Sequence, residues 1–328
     1  MKDQYGRKIE YARISVTDRC SLRCRYCMPA EGVQPMQHAD ILSYEELLRI
    51  AAALARLGVQ KVRVTGGEPL VRRGIVDFVR ELKVLPGIRK VVLTTNGVAL
   101  PELAEPLVAA GLDGVNMSLD TLDAAEFASI TRCDRLAEVR EGLFRLLDCG
   151  CPEVKLNVVP IAGVNEDSLL SLAALAKEYP LSVRFIELMP IGCAAASGYR
   201  GIPSASVRSM LEQTYGAMVP QLPPQEIHGP AVYYALPGFR GRLGFIDALE
   251  HKFCSSCNRV RVTASGFLKL CLNSSAGIDL RSLLRGGADD DTLYGEMQKA
   301  IYRKPVEHFF YKPDNKMKDT RKMYEVGG

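Results

Sequence analysis

The chain has 328 residues, 47% of them hydrophobic and 24% charged, with a net charge of +4. These values exclude a disordered chain and leave room for one large domain with an appendage, or for two domains. The mild charge without a long basic run argues against a dedicated nucleic-acid binder, and no apolar stretch is long enough to span a bilayer.

In chain order, β-rich runs alternate with helical stretches up to Leu188. Strands are predicted over Ile9–Thr17, Lys61–Thr65, Lys90–Thr95, Gly114–Asp120, Val154–Ile161 and Ser182–Leu188. Helices are predicted over Ser43–Leu57, Ile75–Val84, Pro101–Ala110, Leu136–Leu147 and Ser168–Tyr179. Ser43 with Glu46 three residues later is a capping box. Six such alternations imply a parallel α/β sheet, either doubly wound or curved into an incomplete barrel. Pro220, Pro223, Pro224, Gly229 and Pro230 mark a domain edge. We place it after residue 230, giving a barrel over 5–230 and a C-terminal domain over 231–328.

Several strands alternate instead of being apolar on both faces. Arg13, Ser15 and Thr17 share one face of the first strand, and Arg63 and Thr65 one face of the second. Asn116, Ser118 and Asp120 align in the fourth, Lys155 and Asn157 in the fifth. Helices following each strand should cover the outer face, so the polar face reads as a lumen built for an anionic ligand, with exposed strand edges as the alternative.

Cysteines carry the chemistry. The start, Met1-Lys2-Asp3-Gln4-Tyr5, is polar and lacks an export signal, so ten cysteines read as metal ligands and free thiols of a cytoplasmic protein rather than as disulfides. Cys20, Cys24 and Cys27 form C-x3-C-x2-C at the C-terminal end of the first strand, the end where parallel α/β sheets bind ligands. Cys254, Cys257 and Cys271 form C-x2-C-x13-C, with a hairpin turn at Ser265-Gly266. Each set offers three thiolates where a four-iron cube needs four, leaving one iron open to a small molecule. Zinc is the alternative in both places, with His38 nearest the first set and His251 available to the second. The histidines, His38, His228, His251 and His308, form no catalytic cluster and are expected to be structural or exposed. Cys133, Cys149, Cys151 and Cys193 read as free buried thiols.

The stretch from Thr17 to Pro29 around the first cysteines resembles the cluster loop of radical S-adenosylmethionine (SAM) enzymes. Gly66-Gly67-Glu68-Pro69, closing the second strand, resembles their methionine-binding turn, in which glycines admit backbone carbonyls to an ammonium group. With Gly66, Gly67 and Glu68, the resemblance places Tyr26, Ser118 and Met189 at SAM, although Met189 also reads as a core residue at a strand end.

Both cysteine spacings, Arg259-x-Arg261 and the terminal Gly327-Gly328 together resemble the family of GTP 3′,8-cyclases, from about Arg13 to the end of the chain. This resemblance implies a radical SAM (βα)6 partial barrel and a C-terminal domain with a second [4Fe-4S] cluster. Cys20, Cys24 and Cys27 would hold the first cluster, and Cys254, Cys257 and Cys271 the second, whose open iron meets guanine. Arg63, Thr94 and Lys155 match positions that contact GTP. So do Arg13, Arg259 and Arg261, which the resemblance also makes catalytic, with Val260 between the last two. The implied activity is the first step of molybdenum cofactor biosynthesis. A 5′-deoxyadenosyl radical from SAM takes the 3′ hydrogen of GTP, and the sugar radical adds to C8 of guanine.

The implied partners are GTP, a reductant such as flavodoxin or ferredoxin, and the next enzyme, cyclic pyranopterin monophosphate synthase; a homodimer is compatible with it. The resemblance also implicates the Gly-Gly tail in completing the active site. The alternative is a radical SAM peptide- or small-molecule-modifying enzyme with an auxiliary cluster. A non-catalytic zinc module and an iron–sulfur electron carrier are readings from other classes, the last disfavoured by two incomplete sets and a cationic lumen.

Overall fold

The computed structural model describes residues 1–196, 198–221, 229–308, 310, 319 and 321–327. Six strands follow the predicted runs closely: β1 Tyr11–Ser15, β2 Lys61–Thr65, β3 Lys90–Thr95, β4 Gly114–Ser118, β5 Val154–Val158 and β6 Ser182–Ile186. Between them lie α1 Tyr44–Arg56, α2 Ile75–Val84, α3 Leu100–Ala109, α4 Ala124–Thr131, α5 Leu136–Asp148 and α6 Leu169–Glu178. The capping box holds: Ser43 Oγ accepts from the Glu46 amide at 3.2 Å, and the Glu46 carboxylate from the Ser43 amide at 2.7 Å. Leu47, Ile50, Ala51 and Leu54 form the buried stripe of α1.

The C-terminal part contributes short helices and further strands. Helices α7 Cys193–Ala196 and α8 Ser204–Tyr215 precede β7 Val219–Gln221, β8 Val232–Ala235 and β9 Arg242–Ile246. Then come β10 Arg259–Val262, β11 Phe267–Lys269, β12 Gly277–Asp279, α9 Leu280–Arg285, α10 Asp290–Tyr302 and α11 Met323–Val326. Pro220 lies within β7, at the sheet edge, where a missing amide is tolerated. Pro223, Pro224 and His228 fall outside the described residues.

The sheet runs β12-β11-β10-β1-β2-β3-β4-β5-β6-β9-β8-β7. From β10 through β1–β6 to β9 every pairing is parallel. A doubly wound sheet reverses its strand order part-way and places helices on both faces. Here β1 to β6 follow chain order, so right-handed crossovers put the helices on one face and curvature encloses the other. This is the incomplete barrel, extended at its two ends by β10 beside β1 and β9 beside β6.

Alternation then sorts the side chains. Ile14, Val64, Leu93, Met117, Leu156 and Phe185 point outward into the core beneath the helices. Their neighbours along each strand face the lumen, which accounts for the polar positions inside a buried sheet.

Candidate active site

Strand register stacks the lumen side chains in tiers. Arg13 on β1 pairs with Arg63 on β2 on one side and Arg261 on β10 on the other. Three arginines thus stand at one level on adjacent strands, whose backbones lie about 4.8 Å apart. Like charges opposite one another destabilise a sheet, and buried cations need a partner. Burial holds the Arg13 guanidinium well below its ordinary value, and Arg261 and Arg63 push it further down. The tier nearer the strand N-termini carries Arg259, Tyr11, Lys61 and Lys90 in register. Burial lowers Lys61 and Lys155 to about 8. For Tyr11, burial favours the neutral phenol, but Arg63, Arg13 and Lys61 outweigh it and bring the group to about 8.

One continuous cavity of about 370 Å³ runs along this face. Every residue predicted for the site lines it except Val260, whose side chain is buried in the core. Met189 is half-buried against the cavity and does not join the core. Among the described residues, six buried polar atoms on the lining have no hydrogen-bond partner: Tyr11 OH, Arg13 Nε, Arg63 Nε, Arg184 Nε, Thr94 Oγ1 and His308 Nδ1. Buried polar groups are nearly always satisfied, so this concentration marks a surface shaped for a polar ligand.

The cysteine sets occupy opposite ends of the barrel. Cys20, Cys24 and Cys27 follow β1 at the C-terminal ends of the strands, whereas Cys254 and Cys257 precede β10, at the N-terminal ends. The cavity reaches both. All six thiols are free and half-buried. Burial pushes Cys20 up to about 11 and Cys27 up to about 12, with Cys20 adding to the Cys27 shift. Cys257 behaves oppositely: burial raises it, but Lys304 and Arg259 prevail and bring it to about 6, a thiolate near neutrality.

The donor set therefore fits soft iron–sulfur ligation at each end. It does not fit the zinc ribbon with His251, which is exposed and faces Asp247 at 3.6 Å. The four other cysteines are half-buried, not buried as expected. His308 is buried, its Nε2 2.8 Å from the Ala248 carbonyl oxygen, and it also lines the cavity.

At the first end, the Gly66-Gly67 turn is held against the cysteine loop. The Gly67 amide donates to Thr17 O at 2.7 Å and the Glu68 amide to Arg19 O at 2.7 Å. A Cβ on Gly67 would lie 2.4 Å from Arg19 O, so only glycine permits this approach. Glu68 is buried and accepts from Thr95 Oγ1 at 2.8 Å, the Asn96 amide at 2.6 Å and the Leu70 amide at 3.0 Å. Burial still pushes it up to about 7, a carboxylate short of a cation. Tyr26 donates to Asp120 Oδ2 at 2.5 Å, and Asp120 is pushed up to about 6 by burial.

The structure adds lumen residues that the sequence did not single out. Lys61 and Arg184 are buried cations of the same wall. Asn116 Oδ1 accepts from both Arg184 Nη2 and Arg63 Nη2, the latter at 3.3 Å. Lys61 and Arg184 fall on the same alternation as Arg63 and Lys155; extending that period through both strands would have found them.

Cysteine loop, Gly-Gly turn and singly wound curved sheet together define a radical SAM barrel. Residues 14–176 match the Radical SAM superfamily, and residues 181–310 match Molybdenum Cofactor Synthesis C. End to end, the chain is 44% identical to the GTP 3′,8-cyclase of Moorella thermoacetica and 46% identical to that of Pelotomaculum thermopropionicum, with 100% of each chain covered. It belongs to the GTP 3′,8-cyclase family. Among solved structures, SuiB of Streptococcus suis bound to S-adenosylmethionine superposes with a TM-score of 0.57 at 17% identity, covering 88% of this chain and 67% of that one. SuiB bound to its precursor peptide SuiA gives 0.60 at 14% identity, covering 91% and 66%. At that identity the likeness is one of fold, and it gives the peptide-modifying alternative no further support.

Proposed function

We propose that this protein cyclises GTP to 3′,8-cyclo-7,8-dihydro-GTP, opening molybdenum cofactor biosynthesis. One observation carries the reading: a single cationic lumen joins two three-cysteine sets at its opposite ends. The cofactors are SAM and two [4Fe-4S] clusters, for which Cys20, Cys24 and Cys27, and Cys254, Cys257 and Cys271, are the ligands we assign. When bound, they supply the 5′-deoxyadenosyl radical that takes the 3′ hydrogen of GTP before the sugar closes onto C8 of guanine.

The chain's own residues bind, orient and exclude water. Gly66, Gly67 and Glu68 cradle the amino-acid end of SAM, with Tyr26, Ser118 and Met189 along its length. Glu68, desolvated and already fixed by three donors, offers its charge to an ammonium without reorganising. Arg13, Arg63 and Arg261 converge on the nucleotide phosphates, joined by Lys155, Lys61 and Arg184. A triphosphate brings counter-charge to this group of desolvated cations, and guanidinium forks match its oxygens. Arg259, at the tier beside Cys257, is assigned to the guanine end with Val260 as its backbone neighbour, and Thr94 supplies an unpartnered hydroxyl to the lumen. Such enclosure fixes two ligands in reacting geometry and keeps water from the radical.

We divide the work at residue 230: the preceding barrel handles SAM, and residues 231–328 bring the second cluster and the tail. No helix among the described residues is long and apolar enough to cross a membrane. Cytoplasmic location, an electron donor such as flavodoxin or ferredoxin, transfer of product to cyclic pyranopterin monophosphate synthase, and a homodimer complete the proposal.

The test is anaerobic reconstitution with iron and sulfide, followed by SAM, GTP and a reductant. Mass spectrometry should detect 5′-deoxyadenosine and the cyclised nucleotide, the latter lost on Arg259→Ala or Arg261→Ala. Deoxyadenosine without a GTP-derived product, from protein holding both clusters, overturns the substrate assignment.

A further inference from the structure

The cationic wall contains one acid that its chemistry does not call for. Glu153, the residue just before β5, and Lys155 within it both line the lumen. Its carboxylate meets Lys155 Nζ at 2.7 Å and Arg242 Nη2 at 3.7 Å. Arg242 is fixed independently: its Nε donates to Ser182 Oγ at 3.1 Å, and its guanidinium lies 4.1 Å from the centroid of the Tyr233 ring. Other acids lining the cavity are engaged elsewhere. Glu68 and Asp120 serve the first cysteine end, and Glu187 accepts from the Leu249 amide at 2.6 Å.

We propose that Glu153 sets the phosphate-chain length the lumen accepts, standing as the resident counter-ion of Lys155 where the terminal phosphate of the nucleotide ends. The inference rests on reading the lumen as a GTP site. In that reading the base lies toward Cys254, Cys257 and Cys271, below β10 and β1. Lys155 on β5 and Glu153 just before it line the same cavity, with three strands between β5 and β1, and the proposal places the far end of the nucleotide there. A phosphate arriving there competes with Glu153 for Lys155 and is repelled by the carboxylate. Coulomb repulsion falls with distance, so the γ-phosphate is penalised most and the α-phosphate least. Glu153 therefore moderates an otherwise over-charged pocket and grades affinity by how many phosphates extend toward it.

The test measures dissociation constants of GMP, GDP and GTP with anaerobically reconstituted wild type and Glu153→Gln, at one salt concentration. The variant should tighten GTP by roughly tenfold, GDP less, and GMP least. Glu153→Ala, read in the same way, covers a Gln variant that fails to fold. Arg242→Gln should act in the opposite sense, weakening GTP more than GMP. An equal change for all three nucleotides, no change, or weaker GTP binding in both Glu153 variants overturns the inference and leaves the functional reading standing. A wild type that binds none of the three overturns the functional reading, and this inference with it.

Discussion

Arg261 donates a hydrogen bond of 2.9 Å to the carbonyl oxygen of Gly327, joining the middle tier of the lumen to the C-terminal tail. At Gly327 the tail lies against Ser15 and Thr65, at the C-terminal ends of β1 and β2. Gly327 has φ 73°, and a Cβ there would lie 2.7 Å from Thr65 Cγ2 and 3.2 Å from Ser15 Cβ. Helix α11 also comes close to the first cysteine loop, where the Tyr324 backbone partly offsets the burial that raises Cys27. Gly328 lies outside the described residues.

Gly327→Ala should therefore displace the tail and with it Arg261. We expect roughly 10²-fold slower cyclisation, as for a misplacement of about 1 Å, with iron content and melting temperature close to wild type. Deleting Gly327 and Gly328 should do the same. Unchanged turnover in both variants would show that the tail does not complete the site.

Gly67→Ala tests the other end. Its Cβ would meet the backbone oxygens of Arg19 and Asp18 at 2.4 and 2.6 Å, and backbone cannot move aside as a flexible side chain can. The turn and cysteine loop should separate. Equilibrium binding should show SAM affinity reduced by at least about tenfold, while GTP affinity is nearly retained. Equal losses of both ligands would mean that the barrel itself had been disturbed.

Lys61 and Lys155 predict a pH dependence. Burial lowers both to about 8, in Lys155 despite Glu153; an unfolded lysine titrates near ~10.4. Below pH 8 both states are protonated, and the penalty for burying the charges stands in full. Between 8 and about 10.4 the unfolded chain binds more protons, so the ligand-free protein gains stability as pH rises through that window. Phosphate binding requires the charged forms, so GTP affinity should fall as pH rises through 8, approaching about tenfold per pH unit for each lysine titrating. Calorimetric titrations at pH 7, 8 and 9 would show this, and Lys155→Met should flatten the slope. A flat wild-type profile would mean that these lysines do not meet the phosphates.

Asn116 tests how the cations are held. Its Oδ1 serves Arg63 and Arg184, and its Nδ2 donates to Leu93 O at 3.0 Å. Asn116→Leu leaves two buried guanidiniums short of an acceptor. Denaturant unfolding of the ligand-free protein should show a loss of about 1–3 kcal/mol. GTP should recover part of it, since a ligand that binds only the folded state stabilises that state. An undiminished midpoint would show that the arginines find other partners.

The barrel half of the fold was legible because its signals are local. The period of two in β1, β2, β4 and β5, the capping box at Ser43 and the runs between strands survive into the structure with ends shifted by no more than three residues. The lumen was legible through the same alternation, as far as Arg13, Arg63, Asn116 and Lys155. What sequence could not give is non-local. Nothing in Arg259-Val260-Arg261-Val262 says that it pairs in parallel with β1, some 250 residues earlier, and so aligns Arg261 with Arg13 and Arg63. Nor does the second cysteine spacing say that its thiols lie at the opposite barrel end from the first. Lys304, buried with its Nζ 2.9 Å from Arg259 O, became visible only once α10 had been placed.

The central claim is that one lumen brings the SAM end within reach of the sugar of GTP. It is tested most directly with GTP carrying deuterium at the 3′ position, given to the reconstituted enzyme with SAM and reductant. The account predicts 5′-deoxyadenosine carrying that deuterium, formed together with the cyclised nucleotide. Unlabelled 5′-deoxyadenosine accompanying an equal yield of cyclised product would contradict it.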